Sequence, residues 1–239
     1  MEADFSSRFN KEQKILIDLK IIELDKSKIR LKISGIHRSY ANAVRRFALS
    51  EVPVMAIDDV VILENSSILY DEILTHRLGL IPLFTDLKRY VLPEDCDCHS
   101  DLGCSKCRVL LGLDAEATYR IRNIYSGDLV SQDDKETKPI SELIPIVKLS
   151  PGQKVKLEAY ARLGRGKDHA KWQPSSVSVL KPEDNNEYKF ELLIESVGAL
   201  PAAEILSHSL QILRKKIDMI HDNLEEANKV EKEKTKSAS

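Results

Sequence analysis

Four cysteines fall within twelve positions of a 239-residue chain: Cys96-Asp97-Cys98, a five-residue spacer, then Cys104-Ser105-Lys106-Cys107. No other local pattern restricts the fold as tightly. Two close thiolate pairs joined by a short loop wrap one tetrahedral metal, which pins both ends of the loop to a common point. A C-x-C pair closes too small a ring for an easy disulfide, and unliganded cysteines are seldom clustered, so Cys96, Cys98, Cys104 and Cys107 are the expected ligands. A single structural zinc is expected ahead of an iron–sulfur centre. His99, beside Cys98, is treated as a bystander rather than as a replacement ligand.

A chain of this length holds one large domain or two modest ones and buries enough apolar surface to fold without disulfides, so the metal is a local staple. Lys and Arg number 36 against 38 Asp and Glu, which leaves no basic excess to drive binding to phosphate backbones and argues against a free-standing nucleic-acid binder. The start, Met1-Glu2-Ala3-Asp4-Phe5-Ser6, is acidic and lacks an apolar core of signal-peptide length, and no later run reaches membrane-spanning length. A soluble cytoplasmic protein with no membrane association is expected. Metal-type cysteines fit that reducing compartment.

Residues 15–24 and 29–35 are apolar runs separated by Asp25-Lys26-Ser27-Lys28; the second alternates with a period of two, so the pair predicts a hairpin. Ser39 is placed to cap a helix over Tyr40–Leu49 with Tyr40, Ala43, Val44 and Phe47 on one face. Arg45 and Arg46 project elsewhere, as a solvated edge or a contact for an acidic partner. Strands are expected at Ala56–Glu64, Arg108–Leu113, Ala117–Arg122, Lys154–Ala161 and Glu187–Glu195, and a helix over Tyr70–Leu78 ended by Gly79. His76, in that helix, reads as a packed or hydrogen-bonded side chain. Residues 127–137 are polar and turn-rich. Gly164-Arg165-Gly166-Lys167-Asp168-His169 lacks the Gly-Lys-Ser/Thr end of a phosphate loop and is not read as one. The following His169–Pro174 is a loop with one large anchor, Trp172.

Pro201 opens the strongest periodic segment. Leu206, Leu210, Leu213, Ile217, Ile220 and Leu224 follow a 4-3-4-3-4 spacing, a continuous coiled-coil-type seam. Ile205, Ile212 and Met219 form a second stripe roughly 100–120° around the helix. The combined arc of about 180° exceeds the roughly 100° face that a surface helix needs for its own core. This helix is expected to serve two surfaces, its own domain and another chain. Asn223–Ser239 mixes Glu and Lys without apolar period and reads as a fraying helix end or disorder.

The ordered set of motifs resembles one family, the alpha-like, D-type subunits of archaeal DNA-directed RNA polymerase, which are similar to the third-largest subunit of eukaryotic RNA polymerase II and to the N-terminal part of bacterial alpha. The resemblance lies in Ala41-Asn42-Ala43-Val44-Arg45-Arg46 followed by Glu51-Val52-Pro53 and Ala56-Ile57; in residues 72–83, Glu-Ile-Leu-Thr-His-Arg-Leu-Gly-Leu-Ile-Pro-Leu; in the cysteine loop; in Leu149–Gln153; in His169–Pro174; and in Glu195–Pro201. It implies an α+β fold: a discontinuous alpha-like dimerisation domain, residues 1–52 and 177–239, with an inserted, mostly β domain, 53–176, that carries the metal-binding loop 96–107. It further implies a non-catalytic subunit that pairs with a smaller L-like, alpha-related chain to form the platform for the small and large polymerase subunits. Cys96, Cys98, Cys104 and Cys107 then take the zinc positions of the eukaryotic relative. Leu206, Leu210, Leu213 and Ile217 match the pairing helix, and Tyr40, Val44 and Phe47 lie on the helix beside it, whose Arg45 and Arg46 are assigned to a large-subunit contact.

Two departures from family patterns add expectations. No cysteine follows Cys107, so the ferredoxin-like module of some archaeal relatives is expected to be absent. The chain ends in a short charged tail instead of continuing into a DNA-binding domain, so no direct sequence-specific DNA binding is expected. A zinc enzyme would need an open coordination position and a nearby base, whereas four thiolates close the site and no H-E-x-x-H pattern is present.

Overall fold

The computed structural model describes residues 17–98, 100, 103–132, 137–183, 186 and 188–237. The expectations for Ile15, Leu16, His99, residues 133–136, Glu187 and the last two residues fall outside them. Asp25 makes the first turn: its carboxylate accepts hydrogen bonds from Ser27 N and Oγ and from Lys28 N, at 2.7–2.8 Å. That turn joins β1 (Asp18–Leu24) to β2 (Lys28–Ser34), the expected hairpin. Helix α1 (Arg38–Ser50) follows. Its cap is His37, whose ring accepts from Ser39 N at 3.3 Å, not Ser39. Its buried stripe is Ala41, Val44 and Ala48, one position round from the expected face, so Tyr40 is exposed and Phe47 half-buried.

Strand β3 (Val54–Asn65) leads through the Ser66–Tyr70 turn into α2 (Asp71–Gly79). The helix returns beside that strand: Asn65 Nδ2 donates to Asp71 at 2.7 Å at one end, and Gly79 sits against the Ile57 carbonyl at the other. Its inward side chains, Leu74 and Leu78, join the core that holds Met55 and Ile57. His76 lies on the outer face of α2 and is exposed, which corrects the expectation of a packed side chain. After the cysteine loop come β4 (Arg108–Glu116), β5 (Arg122–Tyr125), β6 (Val130–Ser131), β7 (Pro145–Leu149) and β8 (Lys154–Gly164). Ala117–Ile121 is a loop rather than the start of a strand; the Ala117 carbonyl is taken by Gly152 N of the turn before β8, where Gly152 adopts φ 82°. The chain closes with β9 (Ser175–Pro182), β10 (Lys189–Ser196) and α3 (Ala202–Ser237), the last running through most of the tail expected to fray.

The strands form sheets of order β1-β2-β10-β9 and β3-β8-β4-β6, with β5 paired to β7. Helices beside antiparallel sheets make this an α+β fold. Among the described residues the buried apolar side chains gather in two cores. One gathers Ile29, Leu31, Val44, Leu192, Ile194 and Ile205 under α1 and α3; the other gathers Leu74, Leu78, Leu111, Leu113, Leu157 and Leu163 around the second sheet. Strand β3 serves both: Val54 and Ala56 point into the first core, Met55 and Ile57 into the second, as a two-residue period requires. Strand β9 is not foreshadowed by any pattern, because Ser175-Ser176-Val177-Ser178 lacks apolar alternation. Ser175 and Ser178 face α1, where Ser175 Oγ donates to the Ala48 carbonyl and Ser178 Oγ to that of Arg45, at 2.8 and 3.0 Å.

Trp172 joins the sheets. It is 4% exposed in the first core, its indole N–H donates to the Arg162 carbonyl of β8 at 3.2 Å, and a Cβ at Gly164 would run into its ring. The Lys171 ammonium and Arg162 guanidinium lie 4.4 and 4.9 Å from the ring centre, and both donate to the Asp58 carboxylate of β3. His169–Pro174 is therefore an internal brace. Burial alone would raise the Asp58 carboxyl, but the hydrogen bonds from Lys171 and Arg162 outweigh it and hold the group below the usual carboxylate range.

Trp172→Ala is expected to lower unfolding free energy by about 3–5 kcal/mol in urea titrations; a loss below about 1 kcal/mol would show that the indole does not bridge the cores. A carboxyl depressed in the folded state contributes stability that is full above its unfolded pKa, near 4, and disappears as pH falls through the folded value. Wild type should thus lose stability below about pH 4 more steeply than Asp58→Asn, as compared by urea midpoints across the acid range.

Candidate metal centre and partner face

The cysteines come from two short turns held side by side. Cys96 ends a 3-10 turn over Pro93–Asp95, and Cys104–Cys107 forms a knuckle whose Cys107 and Arg108 amides both return to the Cys104 carbonyl, at 3.0 and 2.9 Å. Val91 N donates to the Lys106 carbonyl at 3.0 Å, locking the two together. Gly103 enters the knuckle at φ 74°, in the left-handed region that favours glycine, and a Cβ there would press on Cys107 Sγ at 3.3 Å.

All four Sγ atoms lie within 4.8 Å of one another. Cys96 to Cys104, Cys98 to Cys107, and Cys104 to Cys107 are 3.7, 3.8 and 3.9 Å apart. A tetrahedron with metal–sulfur bonds of about 2.3 Å has edges of about 3.8 Å, so the donor set fits one ion. Backbone N–H groups point at two sulfurs, from Cys104 to Cys107 Sγ at 3.2 Å and from Lys106 to Cys104 Sγ at 3.4 Å, as thiolates require. The Lys106 amide, joined by hydrogen bonds from the neighbouring sulfurs, brings the Cys104 thiol down to about 7. Burial pushes Cys107 up. Four protein thiolates fill a tetrahedral shell and leave no position for a substrate, so the chemistry offered is structural.

The second feature is an apolar band. Helix α3 turns Ala202, Ile205 and Ser209 into its own core. Leu206 and Leu213 are half-buried, while Leu210, Ile217, Ile220 and Leu224 are 47–61% exposed. The sheet beneath explains what lies beside this seam. Among the described residues, helix α1 packs mainly on β9 and β10, and α3 on β10 and β2, which leaves β1 largely uncovered. Leu19, Ile21 and Leu24 pair with Ile33, Leu31 and Ile29 and so share the face those residues bury, yet each is about half exposed. Sequence periodicity points to the seam but not to this strand; the available signal is an apolar run dense enough to supply both faces, Leu19-Lys20-Ile21-Ile22-Glu23-Leu24.

On α1, Val44 is buried in the chain's own core, and Phe47 lies under the Lys216 ammonium at 5.1 Å. Arg45 bonds Asn42 and the Ser178 carbonyl, at 2.9 and 3.4 Å, whereas Arg46 and Tyr40 are exposed. The metal loop and the band are separate features, one attached to each of the two cores that β3 joins.

The sequence profile of the family described as RNA polymerase Rpb3/RpoA insert domain matches residues 55–181, more than half of the chain. The chain belongs to this RNA polymerase Rpb3/RpoA insert-domain family. Curated relatives named DNA-directed RNA polymerase subunit Rpo3 extend the likeness. That of Methanosphaera stadtmanae is 44% identical over 167 residues, covering 69% of this chain and 61% of the relative. Those of Pyrococcus furiosus and Thermococcus kodakarensis are each 47% identical, over 161 and 162 residues, covering 67% and 68% of this chain and 58% of each relative. The matched part thus spans about three fifths of the relatives' length. The insert-domain match runs from β3 to β9 and contains all four cysteines. Among the described residues no helix is long and apolar enough to cross a membrane.

Cys104→Ser removes one of four ligands and is expected to take metal content, by elemental analysis of protein purified under reducing conditions, from about one ion per chain to well below half. Unchanged stoichiometry would remove Cys104 from the ligand set.

Proposed function

We propose that this chain is a non-catalytic assembly subunit of a DNA-directed RNA polymerase, pairing with a smaller L-like, alpha-related chain to form the platform on which the small and large subunits gather. The observation that carries the reading is the apolar band of α3 and β1. A run of exposed leucines and isoleucines on one helix, beside an uncovered sheet face, is far larger than the scattered apolar exposure of ordinary surfaces and marks a contact with another protein. The shared name of the relatives, DNA-directed RNA polymerase subunit Rpo3, supports the kind of assembly.

In this reading residues 1–52 and 177–239 are the dimerisation domain and 53–176 the insert, a division supported by the two apolar cores. The partner lies on Leu206, Leu210, Leu213 and Ile217, with Tyr40 and Phe47 at the margin and Val44 supporting them from beneath. Arg46, with Arg45 beside it, meets a large subunit. The ion in the cysteine loop is zinc, because four thiolates in a tetrahedral shell suit it and need no redox chemistry. The protein works in the cytoplasm and reads no DNA sequence itself.

Leu210→Asp combined with Ile217→Asp places two charges in the proposed apolar contact and should weaken pairing by roughly 100-fold or more. Co-expression with an L-like chain, followed by affinity capture and size-exclusion chromatography, should yield a one-to-one complex for wild type and none for the double variant, with metal content and circular dichroism unchanged. Equal recovery of the variant complex would refute the assignment of this face.

A further inference from the structure

The metal loop and the helix pair are joined by a physical route that neither feature needs for itself. Glu94 lies two residues before Cys96, and its carboxylate pairs with the Arg165 guanidinium. Arg165 begins the turn that follows β8. That turn is clamped to the end of α1: Lys167 N donates to the Ser50 carbonyl at 3.0 Å, and Gly166 sits so close to the Leu49 carbonyl that a Cβ would collide with it. Lys167 Nζ also reaches Glu51, the C-cap of α1, at 3.7 Å. Glu51 is largely buried and receives a second ammonium, that of Lys216 on α3, at 2.9 Å. Lys216 in turn covers the Phe47 ring. Along this route runs a groove of ≈ 540 Å³, with Tyr90–Leu92 and Asp95 on one wall and Ile212, Lys216 and Met219 of α3 on the other.

We propose that metal binding at the four cysteines is coupled to the order of the α1–α3 pair through the strut Glu94–Arg165, the clamped turn Gly164–Asp168, and the Glu51–Lys216 link. The ion fixes Cys96 and hence the short turn that carries Glu94. With that turn fixed, Arg165 is held from both sides, and the end of α1 and the middle of α3 are braced against the insert. Without the ion, the strut loses its anchored end. Exposed ion pairs are individually weak, so the coupling is modest, and its stiff part is the backbone clamp of Lys167 on Ser50. The proposal concerns the chain by itself and does not rest on its being a polymerase subunit.

Hydrogen exchange read by mass spectrometry tests it on the full chain, loaded with zinc or stripped by a chelator under reducing conditions. Stripping should speed exchange in residues 91–108 and also, by about threefold, in residues 164–168, 47–51 and 208–219, while the β5–β7 ladder stays unchanged. Glu94→Gln, which alters no ligand, should keep one zinc per chain and remove the zinc dependence of 164–168 and 208–219; Glu72→Gln, an exposed acid on α2, should not. Changes confined to residues 91–108, an acceleration that includes the β5–β7 ladder, zinc dependence at 208–219 that persists in Glu94→Gln, or a chain that holds no zinc would each overturn the coupling.

Discussion

A β-strand has two faces, and in Val54–Ile57 both are buried in apolar cores. Val54 and Ala56 belong to the core under the helices, Met55 and Ile57 to the core around the second sheet. Everything else is placed relative to that shared segment. Trp172, Arg162 and Lys171 close on it from the β8 side, the two cations meeting Asp58 of β3, so the two halves cannot slide apart without exposing an indole and breaking a charged cluster. This fixes which part of the molecule carries the cysteine loop and which carries the helix pair.

The apolar band follows from simple coverage. Among the described residues the first sheet has four strands, and its two helices pack chiefly on β2, β10 and β9. The inner face of β1 is left about half exposed, and α3 carries an apolar arc wider than its core can use. A monomer that leaves both features exposed has burial still to gain by association. The metal loop adds no reactive group to that picture. Its sulfurs are spaced for one ion, its amides point at two of them, and four thiolate ligands would leave no open position on that ion.

Much of this is legible in the sequence, where side-chain periodicity or ligand spacing leaves little choice. The hairpin, β3, β8, α2 and the α3 seam each carry a regular pattern, and the cysteines a short-range one. What escapes sequence reading has physical causes. Strand β9 buries serines because α1 approaches too closely for larger side chains, so no alternation marks it. The buried face of α1 lies one position from the expected one because Ala41 and Ala48 are small, while Tyr40 and Phe47 draw attention by size. His76 looks internal on a helix whose inward stripe is only Leu74 and Leu78. The brace at Trp172 depends on residues more than a hundred positions apart, Asp58 and Lys171, and no local pattern encodes such a pair.

The central claim is that the band of α3 and β1 is a covered interface in the working assembly. Hydroxyl-radical footprinting of the tagged chain, alone and in the complex it captures from its native cells, tests this at Leu19, Ile21, Leu210, Ile217 and Met219. The account predicts strong protection of these side chains in the complex, with exposed Tyr119 and Leu143 of the insert showing whether coverage is selective. Oxidation of the band at the same rate in complex and free chain would contradict it.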